Sequence, residues 1–318
     1  RDPVSQCHSR HGDDAGVGPD RDDFYRHLRL FCFPGCRNFS YQPVRRFMSE
    51  VQAGALVGGG KNAAAPSVLQ KINAESRGRA AQIQLPTRPP EKSTIDFTAA
   101  LRRRGAMPQL IAELKRRSPS KGSLKEGLPA ADAVRIYEPY AAALSILTEP
   151  NHFHGSLDDL REARSLTALP LLRKDFIVDE KQIDEARHAG ASSFLLIVAS
   201  LTDDELKRFT ARGRELGMEP LVEVLTEEEL YRALALDIRI LGINNRNLHT
   251  LEIDMNRCPS LAAKIPAARR EELVLVAESG YSTREELLAL PHYFDAVLMG
   301  TGFMQASDPA AKIKEVFG

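Results

Sequence analysis

Long apolar runs are missing from this chain. The longest lies around Phe194 to Ala199, far short of the roughly 20 residues that cross a bilayer, and we expect no membrane segment. Cysteine is scarce as well. Four in 318 residues cannot frame a disulfide scaffold, and three of them (Cys7, Cys32, Cys36) fall in the first forty positions. The rest of the chain holds only Cys258, as a reducing compartment would allow. Net charge is absent too, 43 basic residues balancing 43 acidic ones. No polycationic field exists to hold nucleic acid or an anionic membrane, so charge selectivity must be local. Apolar residues make up 43% and charged residues 27%, which suits a globular protein with a real core.

The first 65 residues differ from the remainder. From Arg1 to Arg46 there are eight Arg, no Lys and six Asp, with no sustained period of 2 or 3.6. Ala53 to Gly60, followed by Ala63-Ala64-Ala65, reads as a flexible linker. We therefore expect a disordered leader and linker over 1–65 and a catalytic domain over 66–318. Met48 is taken as the natural start; the rival is an organellar presequence, against which the six acidic residues argue. Cys7, His8, His11, Cys32 and Cys36 match no regular zinc-ligand spacing, and we expect no metal there.

Ser67 is placed to cap a helix carrying Val68, Leu69 and Ile72, which the Pro86 to Pro90 stretch ends; Phe97 to Arg104 reads as a second helix. Beyond residue 109 the pattern becomes regular. Apolar runs recur at 110–114, 143–147, 171–176, 194–199, 220–224, 238–243, 273–277 and 296–299, each followed by a turn and then a helical stretch. The runs lack the alternation of a sheet wetted on one face. Eight such units predict an α/β fold, a closed (β/α)8 TIM barrel preceded by extra N-terminal helices.

Barrels of this kind carry their reactive residues at the C-terminal ends of the strands. The ends here hold Glu113 and Lys115, Lys174 and Asp175, Glu223, Asn244 to Arg246, Glu278 to Gly280, and Gly300 to Gly302. Glu113 and Lys115, two apart on a strand, point to the same side, the barrel interior. A structural ion pair is the plain alternative, but charges are costly to bury unless well bonded, and Lys174 and Glu223 interrupt other apolar strands in the same way. Ser279-Gly280 and Gly300-Thr301-Gly302 put small residues where backbone N–H groups can approach a phosphate. Ser118 and Ser120 could add hydroxyls from the first loop, or belong to a Pro-fixed turn. Phe153, between His152 and His154, could wall a ring or merely pack its loop. His188, His249 and Cys258 read as surface or filler.

The segment Ile111-Ala112-Glu113-Leu114-Lys115-Arg116-Arg117-Ser118-Pro119-Ser120-Lys121-Gly122 closely resembles the first-strand signature of the indole-3-glycerol phosphate synthase family. The match continues through Leu144 to Thr148, Leu172 to Asp179, Leu221 to Val224, Gly242 to Leu248 and Val276 to Gly280, and runs from about Ser67 to Gly318. The resemblance implies a decarboxylating, dehydrating ring closure in tryptophan biosynthesis, from 1-(2-carboxyphenylamino)-1-deoxyribulose 5-phosphate to indole-3-glycerol phosphate, with no cofactor or metal. By it, Lys174 is the general acid for ring closure and Glu223 a base in the dehydration. Lys115 holds the substrate carboxylate and shares in proton transfer, Glu113 and Asn244 orient the reacting groups, and Ser279 lines the site. Ser118, Gly280, Gly300 and Thr301 hold the phosphate, while Lys115, Lys174 and Arg246 supply local cations for a doubly anionic substrate. The chain departs from the family at Tyr137 to Ala142, where small residues are usual, and at Glu149-Pro150.

Two alternatives are a Schiff-base barrel aldolase using Lys174 or Lys115, and a sugar-phosphate-binding barrel without turnover. A small-molecule substrate is expected, with association with other enzymes of the pathway as a further option. The expected location is the cytoplasm, or a plastid if the leader is a transit peptide.

Overall fold

A computed structural model describes residues 66–119, 121–125 and 127–318. The leader and linker expected over 1–65, with their cysteines and histidines, lie outside the described residues, as does Ser120. Helix α1, Val68–Ala80, starts at Ser67, whose side chain accepts from the Gln70 backbone N–H while the Gln70 side chain accepts from that of Ser67. This reciprocal cap satisfies two of the N–H groups that a helix start leaves unpaired. The helix ends ahead of the Pro86 to Pro90 stretch. Helix α2, Phe97–Leu101, is shorter than the sequence pattern predicts. Arg102 leaves helical geometry because its guanidinium takes the carbonyls of Glu272 and Leu273, while the Arg103 backbone N–H goes to Asp295.

The strands are β1 Gln109–Leu114, a short hairpin of β2 Arg117–Ser118 and β3 Gly122–Ser123, then β4 Ala143–Leu147, β5 Leu171–Lys174, β6 Ser193–Ile197, β7 Leu221–Val224, β8 Ile240–Asn244, β9 Val274–Glu278 and β10 Ala296–Met299. Outside the hairpin, all eight are parallel and close into a barrel in the order β1-β10-β9-β8-β7-β6-β5-β4. The hairpin was not anticipated; it sits within the loop after β1, pairing Arg117 with Ser123 and Ser118 with Gly122. Helices separate successive barrel strands, with caps such as Asp179 with Gln182 and Thr202 with Glu205 setting their starts.

Two apolar clusters result. One fills the space between strands and helices, running from Leu110 and Val134 to Val297 and Ile313. The other fills the barrel itself with Ile111, Leu172, Leu195, Leu221, Ile240, Val274, Val276 and Leu298, and it includes residues from both N-terminal helices. Phe97 and Leu101 of α2 join it at the N-terminal end of the strands, where Arg102 and Arg103 anchor. Leu69 and Ile72 of α1 join it at the opposite end, where Ser76 Oγ donates to the Phe176 carbonyl and Arg77 to that of Val178. The N-terminal helices thus plug one end and roof the other.

Tyr137, in the segment that departs from the family pattern, is buried. Its hydroxyl lies 3.5 Å from the Glu113 carbonyl and its ring packs 5.9 Å from that of Phe303. It braces β1 from behind, against the Glu113 backbone.

Candidate active site

The C-terminal ends of the strands enclose a cavity of about 270 Å³ roofed by α1. Eleven of the twelve residues singled out from the sequence line it: Glu113, Lys115, Phe153, Lys174, Glu223, Asn244, Arg246, Ser279, Gly280, Gly300 and Thr301. Ser118 does not. Its Oγ accepts from the Lys121 backbone N–H at 3.2 Å, which leaves the hydroxyl proton to donate.

The charged groups interlock. Lys115 Nζ lies 2.5 Å from Glu113 Oε1, the same-side pairing that a spacing of two on a strand dictates. Lys174 Nζ lies 3.3 Å from Glu223 Oε2 and 3.7 Å from Glu278 Oε2. Glu223 Oε1 in turn accepts from the Asn244 amide at 3.1 Å, and the other end of that amide, Oδ1, accepts from the Arg246 backbone N–H at 2.9 Å. The Arg246 guanidinium donates to the Leu251 carbonyl at 3.1 Å, tying its loop to the mouth.

Burial and charge act against each other here. For Lys174, burial would drive the ammonium toward neutrality, but Glu223, Glu278 and Glu113 outweigh it and raise its pKa above the ordinary lysine value. It therefore holds a proton. Burial alone would raise Glu113, yet Lys115 and Lys174 keep its carboxyl below the usual range. Glu278 goes the other way: burial, then the neighbouring Glu223, push it well above the carboxylate norm despite Lys174. One pocket thus holds an ammonium, an ionised carboxylate and a carboxyl that tends to keep its proton, which is a general acid–base set.

Lys174 is held from behind. Its neighbours in the chain, Arg173 and Asp175, pair at 2.9 Å, and Arg173 also reaches Glu185 at 2.9 Å. Thr148 Oγ1 donates to Asp175 at 2.6 Å and accepts from Arg173 at 3.1 Å. Glu149, fully buried, accepts from the backbone N–H groups of Asn151, His152 and Phe153 at 3.1, 2.6 and 3.1 Å and so sets the short helix Pro150–Phe153 that presents Phe153 to the cavity. Glu149 also groups with Glu75 and His152, whose ligand-type atoms lie within 4.8 Å of one another. Its oxygens are already committed to those N–H groups and to Arg79 at 3.3 Å, so the trio lacks a complete donor set for a cation.

On the far wall, Ser279 and Gly280 take φ of +66° and +95°, consecutive left-handed residues that turn the backbone sharply after β9. A side chain at Gly280 would meet Met255 and Ile253 of the neighbouring loop. Gly300 and Thr301 open the helix Thr301–Gln305 just after β10. This is where barrels of this architecture hold phosphate. Apolar side chains, among them Leu195, Phe176, Leu248 and Leu298, complete the cavity.

Glu278 is the residue that sequence reasoning left without a role. Its position at the end of β9 was visible, but nothing local distinguishes it from a structural carboxylate.

A family model described as indole-3-glycerol phosphate synthase matches residues 65–316. The chain belongs to the indole-3-glycerol phosphate synthase family. Its activity is that of a decarboxylating carbon–carbon lyase in tryptophan biosynthesis, acting on a small molecule. The family member of Aquifex aeolicus (strain VF5) is 45% identical over 229 residues, covering 71% of this chain and 87% of that protein. The member from Paenarthrobacter aurescens (strain TC1) is 48% identical over 212 residues, 65% of this chain and 75% of that protein. Among solved structures, a chain of the tryptophan synthase α2β2 complex from Pyrococcus furiosus aligns with TM-score 0.50 at 15% identity, covering 66% of this chain and 98% of that one. The 3-hexulose-6-phosphate synthase of Salmonella typhimurium aligns with TM-score 0.52 at 11% identity, covering 65% and 96%. These two likenesses speak for the barrel fold alone.

Proposed function

We propose that the mouth cavity carries out the family's ring closure with the residues named above in distinct roles. The substrate, 1-(2-carboxyphenylamino)-1-deoxyribulose 5-phosphate, brings an anion at each end, and the cavity offers cations at one wall and backbone donors at the other. Lys115 receives the aromatic carboxylate and shares in proton transfer. The Ser279-Gly280 turn and the Gly300-Thr301 helix start receive the phosphate, and Phe153 walls the ring. Stretched between these anchors, the substrate places its ketone near Lys174.

The chemistry follows from the protons. The ring carbon bearing the carboxylate attacks the ketone carbon while Lys174 delivers a proton to the carbonyl oxygen, and carbon dioxide leaves as aromaticity returns. The new hydroxyl departs as water on a proton from Lys115, while Glu223 takes the proton from the carbon beside the ring nitrogen, whose loss completes the indole double bond. Glu113 orients Lys115, and Asn244 orients Glu223. The observation that carries this reading is the largely enclosed Lys174 Nζ, set 3.3 Å from Glu223 and 3.7 Å from Glu278 inside the cavity.

A fluorescence assay of indole-3-glycerol phosphate release from the synthetic substrate tests it, with Glu223→Gln expected to lose on the order of 100-fold in turnover. Turnover at the wild-type rate would remove Glu223 from the mechanism. Borohydride trapping with substrate addresses the Schiff-base alternative, for which a covalent adduct on Lys174 or Lys115 is required. A cytoplasmic setting belongs to the same reading; the bacterial sources of the relatives support it and lend nothing to a plastid. Among the described residues, no helix is long and apolar enough to cross a membrane. Association with other pathway enzymes is the remaining part of the proposal, and co-sedimentation with them is its measurement.

A further inference from the structure

Glu223 and Glu278 stand on strands that are not neighbours. Between β7 and β9 lies β8, whose Gly242 pairs directly with Glu223 on one side and whose Asn244 pairs with Glu278 on the other. Ile240 and Asn244 of β8 face the barrel interior, so Gly242, of the same parity, does too. Glycine inside a strand weakens it unless a close approach requires the missing side chain. Here one does. A Cβ at Gly242 would lie 2.1 Å from Glu278 Oε1 and 3.2 Å from Leu221 Cδ1. The first distance is far inside contact, and the group in conflict is a fully buried carboxyl. That same Oε1 is buried without a hydrogen-bond donor among the described residues. Its surroundings on that side are the bare Cα of Gly242.

We infer that Gly242 is a positioning residue for the reaction: its missing side chain opens the slot in which the Glu278 carboxyl lies across β8, beside Glu223, so that both carboxyl groups converge on Lys174 Nζ. Any larger residue at 242 would lever Glu278 away from Lys174. The slot offers Oε1 no donor, which agrees with the upward shift that burial and Glu223 impose on Glu278. The charged groups facing Glu278 are Lys174 from β5, Glu223 from β7 and Glu113 from β1. The inference rests on the proposed roles of Lys174 and Glu223.

The test is a double-mutant cycle on the full chain with G242A, E278D and G242A/E278D, and with G242A/L221V as control. Aspartate withdraws the carboxyl by one methylene and relieves the 2.1 Å conflict; L221V relieves only the apolar one. We expect G242A to fold and to lose about 100-fold in kcat, the scale for misplacing a catalytic group by about 1 Å. KM should change little, and the pH profile of kcat should shift. G242A/E278D should turn over at least as fast as G242A, so the two losses do not multiply, whereas G242A/L221V should stay as slow as G242A. Wild-type kcat and pH profile in G242A, losses that multiply in the double variant, or recovery by L221V would each overturn the inference. If G242A alone is insoluble, the cycle is read on thermal stability: recovery by E278D sustains the inference, and recovery by L221V alone or by neither overturns it. Failure of the underlying reading is distinguishable, since it shows as full activity in Lys174→Ala and Glu223→Gln irrespective of Gly242.

Discussion

Replacing Lys174 by alanine should damage the protein in two ways that pH separates. The ammonium lies 3.3 Å from Glu223 and 3.7 Å from Glu278, and these carboxyls have no other cation within ion-pair distance among the described residues. Turnover should fall by about 10² to 10⁴-fold if Lys174 is the acid. Stability should fall as well, because removing one member of a buried ionic cluster leaves the others uncompensated. Such losses are about 3–5 kcal/mol, or about 6–20 °C in melting temperature at about 2–4 °C per kcal/mol for a domain of this size. The sign of the pH dependence is fixed by linkage. Without the ammonium, nothing offsets the burial and the neighbouring Glu223 that push the Glu278 carboxyl up, so its stability contribution is full below the unfolded carboxylate pKa and is lost as pH rises through the folded one. The deficit against wild type should therefore be large near about pH 8 and shrink toward about pH 5. Fluorescence turnover assays and thermal melts at both pH values measure the two effects. An unchanged rate would refute the acid role, and a deficit that is constant or grows toward acid would refute the electrostatic account.

Lys115→Gln should raise the pH of acid unfolding: the downward-shifted Glu113 carboxyl contributes stability above its unfolded pKa that is lost as pH falls, and losing Lys115 narrows that window; circular dichroism against pH measures it. Glu149→Ala leaves the backbone N–H groups of Asn151, His152 and Phe153 without their acceptor and should cost about 1–2 kcal/mol in denaturant titrations, the scale for losing a helix cap, with KM rising as Phe153 loses its seat. Ser67→Ala removes the cap of the roofing helix and should cost about 1 kcal/mol, detectable as faster amide exchange over Val68–Ala80.

Chain-local signals decided much of this protein. Ser67 followed by Gln70 announces a capped helix, because the reciprocal bonds span only three residues. The strand runs were legible because a parallel barrel buries both faces and so writes unbroken apolar stretches, and the parity of Glu113 and Lys115 follows from the strand period alone. The interruptions at Lys174 and Glu223 marked the mouth because charge in an apolar strand needs a reason. What stayed hidden depends on contacts across the fold. Helix α2 stops at Leu101 because Arg102 and Arg103 find acceptors some 170 to 190 residues away. Nothing in Val68–Ala80 or Phe97–Leu101 says which end of the barrel each will close. Ser118 reads equally well as a ligand or a turn residue, and only the fold shows that the Lys121 backbone N–H donates to its hydroxyl. The surroundings of Glu278, with Glu223 and Gly242 beside it, come from two other strands. Local sequence chooses where helices and strands form, since capping and side-chain period act within a few residues; only the closed barrel decides which charges meet, since that is a matter of distance through space.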